Sequence, residues 1–260
     1  MLSYTNCNLC PRKCGVDRKK GQLGFCQEPD KIFAARAAAH YWEEPVISGS
    51  FGSGAVFFSG CTLQCCFCQN GIISQEHLGK EISTKHLREI FLRLIDDGVQ
   101  NINLVTPTQF LPSILPALEP KLPVPVVYNC GGYERVETLR ELVGLIDIYL
   151  PDMKYSDAKL AAKLSAAPDY VQTAKAAIME MYRQVGPAVI EDEIMKRGII
   201  VRHLVLPGQI DNSLGVLDWF SDAFPQGDVL FSLMSQYVPM GKAKTMPPFD
   251  RTVTKAEYDA

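Results

Sequence analysis

The chain of 260 residues has no apolar run long enough to cross a bilayer. It also lacks a basic stretch or an acidic tail, and its net charge is only −3, so composition gives no support for a dedicated nucleic-acid surface. The N-terminus, Met1-Leu-Ser-Tyr-Thr-Asn-Cys7, has no basic region followed by an apolar one, so no secretory signal is visible. Nine cysteines without such a signal point to a reducing, cytoplasmic setting and to ligand chemistry rather than disulfides. At 47% hydrophobic residues the chain can bury the core of one large domain with a small extra module.

Four of the cysteines fall in eight residues. The apolar run Ala55-Val-Phe-Phe-Ser-Gly60 reads as a strand and leads into Cys61-Thr-Leu-Gln-Cys65-Cys66-Phe-Cys68-Gln-Asn70. Thiolates three and four positions apart on a short loop can wrap one face of an iron–sulfur cube and leave one iron without a protein ligand. A structural zinc ion usually takes four protein ligands, and no distant fourth partner is assigned to this loop. Cys66 falls on a spacer position, so the ligand register Cys61, Cys65, Cys68 is read from spacing.

A second set lies in the N-terminal module, residues 1–30. Cys7, Cys10, Cys14 and Cys26 follow the pattern C-x₂-C-x₃-C, then eleven residues, then C, with Pro11, Gly15, Gly21 and Gly24 suiting a tight knuckle. Structural zinc and a second iron–sulfur cluster are both reasonable, and spacing does not separate them. Arg12, Lys13, Arg18, Lys19 and Lys20 are expected as a solvated basic rim that could also offset thiolate charge. Residues 31–54 read as a short β connector to which no chemistry is assigned. His40 is expected to pack, and nothing supports acid–base work for Glu43 and Glu44.

From residue 55 onward strands and helices alternate. Strands are expected at 56–59, 101–106, 124–128, 146–150, 198–206 and 229–234. Helices are expected at 83–95, 110–118, 135–145, 169–185 and 212–224. The first is capped by Ser83 or Thr84 and carries one apolar stripe of Leu87, Ile90, Phe91, Leu94 and Ile95. Such alternation predicts a parallel sheet with helices outside, and six repeats are two short of a closed barrel, so the expected fold is a partial (βα)₆ barrel over 55–260. Ligand sites in this architecture lie at the C-terminal strand ends. The cysteine loop, Thr106-Pro-Thr108, Asn129-Cys130-Gly-Gly-Tyr133, Pro151-Asp152-Met-Lys154 and Arg202-His203 with Pro207-Gly208 all fall there. Arg202 and His203 are neighbours on a strand and should face opposite ways. Cys130, Met153, Met234 and Met240 are expected as packing.

The Cys61/Cys65/Cys68 loop with Phe67 and Gln69-Asn70 resembles that of the radical S-adenosylmethionine superfamily. With Cys7–Val16, Gly24-Phe-Cys26, Asn103–Thr108, Tyr149–Tyr155, Arg183–Gly186, Val201–Gly208 and Met234–Tyr237, the whole chain is similar to the branch related to pyruvate formate-lyase-activating enzyme. The resemblance implies a 4Fe–4S cluster on Cys61, Cys65 and Cys68, with S-adenosylmethionine held by Thr106, Thr108, Asn129, Asp152, Lys154 and Arg202, although the usual Gly-Gly-Glu is absent. It implies reductive cleavage of S-adenosylmethionine and hydrogen abstraction from a protein or small-molecule substrate. A glycyl-radical protein is the associated target, and flavodoxin or ferredoxin the associated electron donor. It also implies a C-terminus longer than 252–260, so the chain is read as either truncated or naturally short there, which bears on closure of the open barrel edge. No residue is assigned as catalytic. The competing reading is a non-catalytic iron–sulfur or zinc protein for electron transfer or scaffolding, which a fourth ligand such as Cys66 would favour.

Overall fold

The computed structural model describes residues 2–260. Six strands run parallel and neighbour one another in chain order: β2 (Ser53–Phe58), β4 (Ile102–Val105), β5 (Val126–Cys130), β6 (Ile148–Pro151), β8 (Ile194–Leu204) and β9 (Leu230–Met234). They coincide with the six expected strands, shifted by a few residues. Their apolar side chains explain the pattern, since β2, β4, β5 and β6 are buried along almost their whole length, as sheets covered on both faces require. β2 and β9 do not pair with each other.

The sheet continues past β2 in a way the sequence did not reveal. The first half of the 31–54 segment is a nine-residue strand, β1 (Ile32–His40), antiparallel to β2, and β3 (Lys80–Ile82) adds to its other edge. The second half is a turn and the short helix α1 (Pro45–Ser48), opened by a proline whose missing N–H would have had no partner there. At the far side β7 (Val189–Glu191) folds back on β8 through Asp192 and Glu193, both with positive φ, the backbone of a two-residue hairpin turn.

After α2 (Gly71–Ser74), the helix α3 (Thr84–Asp96) forms where its cap and stripe predict: Ser83 Oγ accepts the His86 N–H at 3.0 Å, and Leu87, Ile90, Phe91 and Leu94 are buried. The expected helix at 110–118 is instead broken into 3₁₀ turns around α4 (Leu111–Ile114), because Pro112 and Pro116 each remove a backbone donor. The expected helix at 135–145 shrinks to α5 (Val136–Arg140). An additional helix, α6 (Ala158–Ser165), is capped by Asp157 and precedes the expected α7 (Tyr170–Val185) and α8 (Ile210–Ala223). The C-terminal turn α9 (Lys255–Asp259) has a capping box between Thr254 and Glu257.

The N-terminal module is pinned to the sheet-bearing part by polar contacts. Arg12 Nε donates to Thr62 O at 2.9 Å and its terminal nitrogens to Ser165 O and Ala166 O, while the guanidinium lies 3.8 Å from the centre of the Phe25 ring. Gly60 makes this approach possible: at φ +74°, a Cβ there would sit 2.4 Å from Glu28 Cγ and 2.9 Å from Cys26 O. Replacing Arg12 by Met removes three charge-assisted bonds. We expect a loss of about 2–4 kcal/mol in urea denaturation, with proteolytic cuts appearing first within residues 2–30.

Candidate functional site

The parallel register brings the strand ends to common levels. Val105 lies beside Asn129, Asn129 beside Leu150 and Cys130 beside Pro151, and an isolated bridge pairs Asp152 with Arg202. Above these ends opens a cleft of about 730 Å³, within the range of small-molecule sites. Cys61, Cys65, Cys68, Thr106, Asn129, Cys130, Asp152, Lys154 and Arg202 all line it, so five of the six residues expected to hold S-adenosylmethionine, and three of the four loop cysteines, converge. Cys66 is not among the lining residues; its N–H donates to Leu164 O and its carbonyl accepts from Ala243 N.

Each converging thiol has a donor aimed at its sulfur. The Leu63 N–H lies 3.3 Å from Cys61 Sγ, the Ser165 hydroxyl 3.0 Å from Cys65 Sγ and the Ser74 hydroxyl 3.2 Å from Cys68 Sγ. Burial pushes the Cys61 thiol up to about 12. Burial also raises Cys65, against the pull of the nearby Lys154 ammonium. Buried sulfurs of this kind ionise when a metal takes the place of the proton. Among the described residues no three His, Cys, Asp or Glu side chains are drawn together as a single metal ion requires. Three thiols on the wall of one cleft, each with a donor aimed at its sulfur, are a donor set that suits an iron–sulfur group.

On the wall opposite, Arg202 is matched on every side. Its Nε bonds Asp152 at 3.0 Å, one terminal nitrogen bonds Glu43 at 2.8 Å and the other Asn129 Oδ1 at 2.9 Å. Lys154 Nζ reaches Asp152 at 2.6 Å. Burial pushes the Asp152 carboxyl up, but the Lys154 and Arg202 cations beside it outweigh that and leave it below its ordinary value. Glu43 is the residue that sequence reasoning passed over. Its second oxygen accepts from Asn103 and Asn129, at 3.2 and 3.0 Å, so it closes the network from outside the parallel strands. Its only signal was its position one residue before Glu44 and two before Pro45. Glu44, His40 and the exposed Trp42 line the cleft as well. His40, expected to pack, does so edge-on against Phe57 while also facing the cleft. Arg202 and His203 face opposite ways as expected: His203 is fully buried, between Met153 O at 2.7 Å and Ser213 of α8 at 2.9 Å.

Thr106 and Thr108 part company. Thr106 lines the cleft with φ +58°, a conformation that a β-branched residue seldom adopts and that marks strain at a site. Thr108 is turned away into the core, where its hydroxyl bonds Glu134 at 2.7 Å and Tyr128 at 3.1 Å. Burial pushes the Glu134 carboxyl up to about 8, against the hydrogen bonds it accepts from the Thr108 and Tyr128 hydroxyls.

No family model matches the chain. It is 31% identical over 267 residues to the "uncharacterized protein MJ0674" of Methanocaldococcus jannaschii, an alignment covering 98% of this chain and 73% of that one. The chain belongs to the MJ0674 family. Among solved structures, SuiB of Streptococcus suis bound to S-adenosylmethionine has a TM-score of 0.48 at 13% identity, over 73% of this chain and 39% of SuiB. SuiB bound to its precursor peptide SuiA has a TM-score of 0.48 at 15% identity, over 74% and 42%. The chain thus spans about two fifths of SuiB. At that degree of likeness, what SuiB binds says nothing of this chain.

Arg202→Met leaves Asp152 and Glu43 short of their shared partner, and we expect a loss of about 3–5 kcal/mol in urea denaturation. Glu134 generates a pH effect. Its folded value, about 8, lies above the ordinary 4.5, so the stability tied to its neutral form is complete below pH 4.5 and is lost as pH rises to about 8. Glu134→Gln should therefore gain in melting temperature over the parent at pH 8 and show little difference at pH 4.5; equal differences at both would contradict this.

Proposed function

We propose that the protein is a radical S-adenosylmethionine enzyme, its six parallel strands forming the partial (βα)₆ barrel of that superfamily. One observation carries the reading: Cys61, Cys65 and Cys68 line the cleft, and Cys66 does not. Three thiolates leave a cluster with an open iron, whereas a fourth would close it. The electron-transfer reading needs that fourth ligand.

Bound on these three thiolates, a 4Fe–4S cluster would supply the electron that cleaves the sulfonium of S-adenosylmethionine and so yields a 5′-deoxyadenosyl radical. The protein's part is to bind, orient and exclude water. Lys154 and Arg202 offer cations to a carboxylate, while Glu43 and Asp152 offer acceptors to an ammonium group. The four together carry no net charge, which suits a zwitterionic amino-acid end. Asn129, already shared between Glu43 and Arg202, stands beside them for a ribose hydroxyl. Thr106 brings its strained backbone to the same wall. The proposal includes hydrogen abstraction from a substrate, with a glycyl-radical protein as the target and flavodoxin or ferredoxin as the donor that the resemblance adds. It also includes a reducing, cytoplasmic setting. No helix of the described residues is long and apolar enough to cross a membrane.

The N-terminal cysteines are assigned a second thiolate centre, zinc or iron–sulfur. The test of the main reading is 5′-deoxyadenosine release. Anaerobically reconstituted, reduced protein should form it from S-adenosylmethionine, and a Cys61/Cys65/Cys68→Ala variant should form none. A well-formed cluster that neither binds nor cleaves S-adenosylmethionine would return the protein to the electron-transfer class.

A further inference from the structure

The cysteine loop has two faces. Its cleft face carries Cys61, Cys65 and Cys68 and must admit cofactor and substrate. A protein that delivers electrons has to reach the loop from elsewhere. Cys66, which does not line the cleft and is only half-buried, marks that second face. It is clasped between two segments. Its N–H donates at 2.8 Å to Leu164 O, near the end of α6, and its carbonyl accepts at 3.4 Å from Ala243 N, in the 3₁₀ turn Gly241–Thr245. The turn fits closely: Gly241 has φ +49°, and a Cβ there would lie 2.8 Å from Cys66 O.

The residue beside each contact is a lysine. Lys163 precedes Leu164 and Lys242 precedes Ala243; both are exposed, and both are close enough for their charge to act on the Cys66 thiol. Lys159 lies one turn before Lys163 on the same face of α6, and Lys244 is exposed on the 3₁₀ turn. Residues 158–168 and 236–249 hold these four lysines and no acid, in a chain whose net charge is −3. Asp157 and Asp250 stand just beyond the two stretches, and Asp157 is turned onto the Lys159 N–H as the cap of α6. Among the described residues none of the four lysines forms an ion pair; Lys163 Nζ stands 5.3 Å from the centre of the Phe249 ring instead. The basic run of the N-terminal module offers less. Arg18, expected on a solvated rim, is 1% exposed, Arg12 is taken up by carbonyls, and Lys20 pairs with Asp17.

We propose that the face over Cys66, framed by Lys159, Lys163, Lys242 and Lys244, docks an acidic one-electron carrier protein, which charges the loop's cluster from the side away from the cleft. The inference rests on the cluster reading made above and adds the surface through which that cluster is reduced. Unpaired like charges over a redox centre complement an acidic partner, and such complementarity steers encounter and fixes orientation. In the transfer the carrier loses one electron and the cluster gains one; no bond forms or breaks. The cleft stays free for cofactor and substrate throughout, because Cys66 belongs to the other face.

The test uses the full chain and reads binding and reduction separately. Flavodoxin, an acidic flavin protein, should bind with an affinity that falls roughly tenfold as salt rises from ~50 to ~200 mM. A Lys163→Glu/Lys242→Glu variant should bind it roughly tenfold more weakly, and photoreduced flavodoxin should reduce that variant's cluster correspondingly more slowly. Dithionite, a small reductant that needs no docking surface, should reduce variant and parent alike. Arg197→Glu, a charge reversal near the opposite end of β8, should alter neither binding nor reduction. Equal binding by the parent and the lysine variant, or binding indifferent to salt, would overturn the proposal while leaving the cleft's function standing. Loss of binding in the lysine variant, together with no cleavage of S-adenosylmethionine under dithionite, would instead leave the docking surface standing and remove the radical reading.

Discussion

A guanidinium keeps its charge wherever the fold puts it, so every buried arginine must be given an anion or a set of carbonyls. Arg202 meets that requirement with Asp152, Glu43 and Asn129, which arrive from three different parts of the chain. The match fixes more than one side chain. To supply Glu43, the turn after β1 must fold back over the strand ends, and this brings Trp42 and Glu44 to the mouth of the cleft. To supply Asp152, β6 and β8 must keep the register that makes the Asp152–Arg202 bridge. The polar wall and the sheet register are therefore one constraint.

What was legible in the sequence was local. The cysteine loop, the Ser83 cap with its stripe, and the apolar strand runs each depend on a few neighbouring residues, and each appears within a few residues of its expected place. Glu43 was illegible because nothing near it in sequence requires a carboxylate; its partners lie 60, 86 and 159 positions away. Arg18 was misread for a similar reason. Next to Lys19 and Lys20 it belongs to a charge run, and only the tertiary fold separates it from them. The β7–β8 hairpin was missed because Asp192 and Glu193 adopt positive φ without the glycine that usually announces such a turn.

The two places where adjacent candidates diverged share one cause. Cys66 and Thr108 each sit one or two residues from a residue that faces the cleft, and a turn cannot aim successive side chains at one point. Cys66 contributes its backbone to Leu164 and Ala243 and so fastens the loop, leaving Cys65 and Cys68 free to face inward. Thr108 opens a 3₁₀ turn and points at Glu134, leaving Thr106 at the rim. Motif spacing identified both neighbourhoods. Backbone direction chose the members.

The cleft and the N-terminal pocket are also not independent. Gln109 donates through its side-chain amide nitrogen to Ser59 O, Gly60 O and Thr106 O, and its backbone carbonyl accepts from Arg18. That single residue touches the entry to the cysteine loop, the strained threonine of the cleft and the cation of the module. Arg12 makes a second tie, reaching Ser165, whose hydroxyl is aimed at Cys65. If the module shifts, the carbonyls that hold the Gly60 turn and the donor that faces Cys65 shift with it. A module attached in this way acts as part of the frame that keeps three thiols converging, so the four-cysteine pocket and the three-cysteine loop are two faces of one backbone wall.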